Sequence, residues 1–102
     1  MYVIIWTFNV RPGLEVDFEN VYGPDGLWAQ YFRRGHGYIE TELLRDLAES
    51  RQYFAIDRWE SQAAFEDFQA RFAEGYKAID QECEALTESE VKIGGFEAVG
   101  QR

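Results

Sequence analysis

The first strand-like segment of the chain, Tyr2–Val10, is apolar on both faces, and no other feature constrains the fold as strongly. Side chains alternate between the two faces of a strand, so a segment that is apolar at nearly every position leaves neither face for water. One face carries Tyr2, Ile4, Trp6, Phe8 and Val10, and the other carries Val3, Ile5 and Thr7. The segment Gln52–Trp59 has the same property. A sheet built from these two segments therefore needs apolar cover on both sides.

Hydrophobic periodicity predicts the order strand, helix, strand, strand, helix, strand within a single domain of residues 1–102. Runs of β-branched and aromatic residues indicate the strands, and glycines and prolines separate the segments. The predicted strands are Tyr2–Val10, about Tyr38–Arg45, Gln52–Trp59 and about Ser89–Ala98. This order favours an α+β fold with an antiparallel four-stranded sheet.

The helical regions are indicated by apolar residues at spacings of three and four. The first follows Pro12 and is interrupted at Gly23–Gly26, before a short second piece that includes Leu27 and Phe32. The last begins at Ser61, whose hydroxyl can accept a hydrogen bond from a backbone N–H of the first turn. It continues with the aromatic stripe Phe65, Phe68 and Phe72, and we expect Gly75 to weaken or kink it.

The helices of one chain can cover only one face of the sheet. The other face would leave at least three large apolar side chains exposed. Burying each is worth about 1.5–3 kcal/mol, so roughly 5–10 kcal/mol would go unused. A loop long enough to cover that face is not evident in the sequence. We therefore expect a homodimer in which two sheets pack face to face.

Composition narrows the possible partners and cofactors. Acidic residues outnumber basic ones 19 to 10, and the net charge of −9 disfavours nucleic acid and anionic membranes as partners. One cysteine and one histidine exclude an internal disulfide, an all-cysteine metal site and a multi-histidine metal site. No segment has the ~20 apolar residues that span a bilayer, and no signal-peptide pattern is visible, so a cytoplasmic location is expected.

Several segments resemble the antibiotic biosynthesis monooxygenase family of dimeric α/β-barrel proteins. The most specific is the pattern Trp59-x-Ser61-x-x-Ala64-Phe65. The resembling segments are Val10–Gly13, Tyr22–Asp25, Phe32–Tyr38, Thr41–Arg45 and Ile56–Phe65. The resemblance implies a ferredoxin-like βαββαβ unit that pairs into a homodimeric barrel. It also implies a cofactor-independent monooxygenase that oxidises a hydroxylated aromatic, such as a quinol or an anthrone, with dioxygen. The alternative is a non-catalytic module of the same fold that binds a small ligand or dimerises.

The resemblance also indicates that this chain does not bind haem as its haem-degrading relatives do. Haem-degrading relatives are similar to one another in an asparagine on the first strand, a tryptophan on the second helix and a later histidine that binds iron. In this chain those positions fall near Trp6, near Phe68 and within Tyr76–Ala78. None of the three residue types is present there, so no haem is expected. The sequence likewise has no phosphate-binding glycine loop for a flavin or nicotinamide, and we expect no cofactor.

In folds of this kind the ligand lies between the sheet and the helices, and the resemblance implies an aromatic-walled slot for a small aromatic ligand. Its predicted substrate-binding residues are Trp6, Trp28, Tyr31, Phe65, Phe68 and Phe72, with Tyr76 at the wall. Aromatic residues at helical spacing can equally be ordinary core. His36, between two glycines, is a candidate general base, or simply a loop residue. Tyr76 is the second candidate catalytic residue, or else it closes the rim of the core.

Two further polar features have open interpretations. Asp57 lies within a predicted strand, where a buried carboxylate needs a partner. Arg58 has the wrong parity to be that partner, so Asp57 is either paired across strands or a functional acid. Arg33 and Arg34 could bind an anionic group, or they complement the end of a helix that Gly35 caps in the left-handed conformation.

Overall fold

A computed structural model describes residues 1–100 and confirms the predicted βαββαβ order of an α+β, ferredoxin-like fold. The strands are β1 (Tyr2–Val10), β2 (Tyr38–Arg45), β3 (Gln52–Trp59) and β4 (Thr87–Glu97). The helices are α1 (Glu15–Tyr22), α2 (Leu27–Phe32), α3 (Gln62–Arg71) and α4 (Ala73–Cys83), and a 3-10 turn at Glu84–Leu86 leads into β4. Each predicted helical region is thus divided into two helices.

The four strands form one antiparallel sheet, as predicted, and their order across it is β2-β3-β1-β4. The bounds of the first three strands match the prediction, whereas β4 begins at Thr87 rather than near Ser89. The reason is a shift in register between Asn9 and Val10, which lets Thr87 pair with Val10. A second shift, between Ile5 and Trp6, bends the β1–β4 pairing near Gly94.

The two faces of the sheet have different surroundings. The inner face packs against the helices, and along β3 every second residue, from Tyr53 to Trp59, is buried on it. The outer face is open: Val91 and Phe96 on β4 are 54% and 45% exposed. The apolar residues of the outer face are Val3, Ile5, Leu44, Phe54, Ile56, Val91 and Phe96. Among residues 1–100 the sheet is therefore covered on one side only, and the second apolar face predicted from β1 has no covering element there.

An aromatic cluster around Trp59 holds α2 and α3 on the inner face. Trp59 is fully buried, and the ring centroids of Phe32, Phe65 and Phe68 lie 5.8, 5.4 and 5.2 Å from its own. Gly35 makes this packing possible, because a Cβ there would come within 2.6 Å of Phe68. The predicted left-handed cap at Gly35 is wrong: positive φ angles occur in residues 1–100 only at glycines 13, 37 and 100. Gly35 is thus required for space rather than for its backbone conformation.

The helical region that follows β3 begins and breaks for identifiable reasons. Ser61 caps α3 as predicted, since its Oγ accepts from the Ala64 N–H at 3.1 Å. The break lies at Phe72 rather than at Gly75. There the Tyr31 hydroxyl donates a hydrogen bond of 2.6 Å to the Phe72 carbonyl oxygen. Gly75 leaves room for that hydroxyl, because any Cβ at this position would collide with it.

Gly75→Ala is expected to destabilise the fold by about 1–3 kcal/mol, the usual cost of inserting a methyl group into filled space. The same change in an open helix stabilises by roughly 0.5–1 kcal/mol, so the sign of the effect is diagnostic. Urea unfolding of the two proteins measures it. In a Tyr31→Phe background the penalty should shrink, because the colliding oxygen is gone. A stabilising effect of Gly75→Ala would contradict the packing described.

None of the helices in the described part of the chain has the length and apolar character to cross a bilayer. Cys83 at the end of α4 is a buried free cysteine, and it packs into the core as a small apolar residue. Among residues 1–100, no group of histidine, cysteine, aspartate and glutamate side chains is arranged to hold a metal ion.

Candidate functional site

A cavity of about 170 Å³ lies between the inner face of the sheet and helices α1, α2 and α4. Its aromatic walls are Trp6, Phe8, Tyr22, Trp28, Phe32 and Tyr76. Its polar lining is Thr41, Asp57, Asp80 and Glu90, with Ala55 on the floor. Since an apolar cavity of about 150 Å³ takes up benzene, this volume encloses one aromatic ring or two fused rings, and a third fused ring would extend to the open rim.

Asp57 is the buried polar group of this cavity. It lies on the inner face of β3 and is 8% exposed. Thr41 on the neighbouring strand donates a hydrogen bond of 2.7 Å to Asp57 Oδ1. Thr41 Oγ1 also lies 2.7 Å from the Tyr38 hydroxyl. Because Thr41 uses its only hydroxyl proton on Asp57, Tyr38 must donate to Thr41, and the three side chains form a directed chain Tyr38–Thr41–Asp57.

The surroundings of Asp57 shift its acidity strongly. Burial raises the pKa of its carboxyl from the usual 3.8 to about 6, although the hydrogen bond from Thr41 opposes part of that rise. Within residues 1–100 no cation pairs with it: Arg58, next along β3, lies on the outer face and contacts Glu40 and Glu42 instead. Asp57 can therefore take up and release a proton near neutral pH, as a general base must.

Tyr76 on α4 has the opposite character. Burial, together with the charges of Asp57, Asp80 and Glu90, raises the pKa of its hydroxyl to about 12. The hydroxyl therefore keeps its proton at neutral pH and can act as a hydrogen-bond donor but not as a base. The Tyr76 ring contacts Trp28 edge to face, with centroids 4.9 Å apart. Trp28 is 6% exposed, and its indole N–H lies near the Tyr22 hydroxyl and the Cys83 thiol but makes no hydrogen bond of good geometry in the described part of the chain.

The rim of the cavity is acidic. Glu90 on β4 is exposed, Asp80 on α4 is half-buried, and both line the cavity. Burial raises the pKa of the Glu90 carboxyl, and the charges of Asp80 and Glu84 raise it further. No lysine or arginine is among the described residues that line the cavity. The site therefore has a negative potential from its floor to its mouth.

Three of the eight predicted site residues line this cavity, namely Trp6, Trp28 and Tyr76. The other aromatic residues, Tyr31, Phe65, Phe68 and Phe72, pack instead into the core around Trp59 and the α3–α4 break. His36 is exposed in the loop between α2 and β2 and does not line the cavity. Helical spacing alone could not separate the core aromatics from the wall aromatics.

The polar residues of the cavity were less visible in the sequence. Asp57 lies two residues from Ala55 and from Trp59, so strand alternation places its carboxyl on the inner face. The structure pairs Asp57 across strands with Thr41, as one of the two interpretations expects, and it also places Asp57 in the lining of the cavity. Asp80 and Glu90 carry no comparable local signal, because both lie in acidic, water-facing stretches.

A family model described as "Antibiotic biosynthesis monooxygenase" matches residues 1–81. The structure is similar to that of SnoaB, a cofactor-independent oxygenase from Streptomyces nogalater, at 25% identity over 98% of this chain and 94% of that chain, with a TM-score of 0.79. A mutant of SnoaB superposes over the same shares of the two chains at 26% identity with a TM-score of 0.81.

Solved structures of lower sequence identity show the fold alone. PA3566 from Pseudomonas aeruginosa is 22% identical over 96% of this chain and 93% of that chain, with a TM-score of 0.70. No curated protein sequence matches the chain.

Proposed function

This chain belongs to the antibiotic biosynthesis monooxygenase family, and we propose that it is a cofactor-independent monooxygenase of hydroxylated aromatic compounds, with a quinol or an anthrone as the substrate type. The observation that carries the proposal is Asp57, a buried carboxyl with a pKa of about 6 in the wall of an aromatic cavity. SnoaB, similar over nearly its whole length, is a cofactor-independent oxygenase, which supports the same chemistry here.

In this reaction the substrate supplies the electrons. Asp57 removes a proton from the hydroxyl or methylene group of the bound ring, and the resulting electron-rich anion reduces dioxygen directly. For an anthrone, the methylene carbon loses two hydrogens and gains one oxygen atom as a carbonyl. The second oxygen atom leaves as water, so atoms and electrons balance without a separate reductant.

The proton transfer needs help from hydrogen-bond donors. A phenol has a pKa near 10, so transfer to a base of pKa about 6 is uphill by about 5 kcal/mol. Donors placed at the developing oxyanion lower that cost. Tyr76 keeps its proton because burial and nearby carboxylates raise its pKa, and the indole N–H of Trp28 is unpartnered. We assign the donor role to these two residues and the base role to Asp57, in place of His36.

Tyr76→Phe is expected to lower kcat about tenfold, because the loss of one hydrogen bond to a charged group costs about 1.5 kcal/mol or more. KM should change little, since the ring that packs against Trp28 is kept. Initial rates measured with an oxygen electrode over a range of substrate concentrations separate the two constants. Tyr53→Phe removes a hydroxyl that hydrogen-bonds Glu19 outside the cavity, and it serves as the control. A kcat unchanged in Tyr76→Phe would reject the donor role.

The open outer face supports a homodimer as the working form of the protein. Leu44, Val91 and Phe96 on that face are each exposed by 45% or more. Two copies packed outer face to outer face would bury these apolar side chains, and each is worth about 1.5–3 kcal/mol when fully buried. We propose this sheet-to-sheet homodimer, located in the cytoplasm and with no nucleic-acid or membrane partner.

Dioxygen uptake tests the function as a whole. Protein treated with a chelator is supplied with a panel of quinols and anthrones, and uptake is compared with the uncatalysed rate. We expect one dioxygen to be consumed for each molecule of quinone product formed. Tight binding of the panel compounds without any uptake would reject the enzyme and favour a binding module of the same fold.

A further inference from the structure

We propose that the substrate of this cavity carries a basic amino group, which the carboxylates of Asp80 and Glu90 bind at the rim, and that aromatic compounds bearing a carboxylate are rejected. The inference rests on the proposed function only in taking the ligand to be a hydroxylated aromatic. It adds the charge of the ligand and the residues that bind the charged group.

The lining of the cavity is acidic. Asp57, Asp80 and Glu90 all line it, and their charges add to burial in raising the pKa of Tyr76. The described lining includes no basic residue, and none of the three carboxylates forms a salt bridge within residues 1–100. Nor do they belong to a group that could hold a metal ion. An organic cation is the partner that satisfies carboxylates spread around a cavity of this size.

Two polar groups away from the rim, Asp57 and the indole N–H of Trp28, also indicate a ligand. Asp57 is 8% exposed and receives one side-chain hydrogen bond, from Thr41 to its Oδ1. Its other oxygen accepts no hydrogen bond from the described residues, and the buried indole N–H of Trp28 also lacks a hydrogen-bond partner there. An acceptor with spare capacity and a buried unpartnered donor among the residues that line one cavity indicate a polar ligand. A hydroxylated ring can donate to Asp57 and accept from Trp28.

The reaction itself also calls for a positive charge at the site. Proton removal leaves Asp57 neutral and creates a substrate anion near the carboxylates of Asp80 and Glu90, and like charges in a partly buried site repel strongly. The protein supplies no positive side chain there. An ammonium group on the substrate supplies the missing charge, and it makes the bound anion neutral overall. A substrate carboxylate would add a further negative charge to the same site.

The geometry of the cavity fits this division of roles. Asp57 is buried on β3 at the inner end, whereas Glu90 is exposed and Asp80 half-buried at the outer end. The ring therefore enters first, between the aromatic walls, and a substituent on its far edge reaches the rim. At the rim an ammonium group keeps part of its hydration while it contacts Asp80 and Glu90.

The test is calorimetric binding of three probes that differ in one substituent: a naphthol bearing an aminomethyl, a hydroxymethyl or a carboxylate group. At low ionic strength we expect the amine to bind about tenfold more tightly than the neutral probe, as two partly exposed ion pairs allow. The carboxylate should bind at least about tenfold more weakly than the neutral probe. Added salt should narrow both differences.

Two variants assign the effect to the rim. The double variant Asp80→Asn, Glu90→Gln should bind the amine and the neutral probe equally. Glu82→Gln makes the same change of charge on an exposed residue of α4 outside the cavity, and it should keep the preference. Equal affinity of the wild-type protein for the amine and the carboxylate would overturn the inference, and so would a preference that survives in the double variant.

Measurements of binding and of turnover distinguish a failure of this inference from a failure of the proposed function. A preference for the amine without dioxygen uptake from any panel compound would leave the inference standing and reject the proposed function. Uptake with neutral and carboxylated compounds at equal efficiency would support the function and overturn the inference.

Discussion

Asp57→Asn is expected to lower the rate of dioxygen uptake by about 10²- to 10⁴-fold, the range in which general bases act. The amide keeps the shape of the carboxyl and can still accept from Thr41, but it cannot take up a proton. Affinity for a neutral naphthol should therefore stay within a few-fold of that of the wild-type protein. Asp17→Asn, an exposed change of the same kind on α1, is the control.

The same substitution should stabilise the protein. Burial raises the pKa of Asp57 from 3.8 to about 6, so the folded state holds this proton more tightly than the unfolded chain does. Stability is therefore greatest below the unfolded pKa and falls as pH rises through about 6, by about 3 kcal/mol. Asp57→Asn removes this loss, and we expect it to raise the free energy of unfolding at pH 7.5 by about 2 kcal/mol. A variant that is both less active and less stable would contradict the account.

Activity should depend on pH in the opposite direction. The base must be ionised, so kcat/KM should rise with pH through about 6 and then level off. The groups that face Asp57 are Thr41 on β2, Tyr76 and Asp80 on α4, and Glu90 on β4. Glu90 also has a raised pKa, so the profile of Glu90→Gln separates its contribution. A profile that is unchanged in Asp57→Asn would exclude this carboxyl as the titrating group.

Ile56→Glu is expected to convert the protein from a dimer to a monomer. Ile56 lies at the centre of the outer face, paired with Ile5 on one side and Glu42 on the other. A carboxylate buried there without a cation would cost several kcal/mol in each copy, which raises the dissociation constant by more than about 10³-fold. Sedimentation velocity over a range of concentrations measures the change.

The control for Ile56→Glu is Val16→Glu. Val16 on α1 is 70% exposed, so the same kind of substitution should leave the oligomeric state as it is. Wild-type protein that sediments as a monomer at high concentration would reject the sheet-to-sheet dimer. Circular dichroism of Ile56→Glu distinguishes dissociation from unfolding.

The fold could be predicted from the sequence because its signals are local. Alternation along Tyr2–Val10 and Gln52–Trp59 indicates both the strands and their two apolar faces, and Ser61 indicates where α3 begins. The position of the α3–α4 break is not local. It depends on the hydroxyl of Tyr31, which is 41 residues from Phe72 in sequence. Gly75 was therefore the visible signal, but the break itself lies three residues earlier.

The same break explains which parts of the site were missed. It separates α3, whose Phe65 and Phe68 pack around Trp59, from α4, whose Tyr76 and Asp80 line the cavity. A single continuous helix would place both sets on one stripe, and the sequence pattern predicts such a stripe. The floor of the cavity was within reach of the sequence, since parity places Asp57 on the inner face. The position of Glu90 at the rim could not be predicted, because it depends on how β4 pairs with Phe8.

The alternation of β3 also limits how this protein can vary over evolutionary time. Asp57 lines the cavity, and its immediate neighbours Ile56 and Arg58 belong to the opposite face. Inserting or deleting one residue in this strand would exchange the two faces, moving Ile56 or Arg58 into the cavity and Asp57 out of it. Lineages can therefore substitute residues in β3 but cannot change its length by one. Changes in length should accumulate in the β2–β3 turn, where Asp46 caps a surface loop.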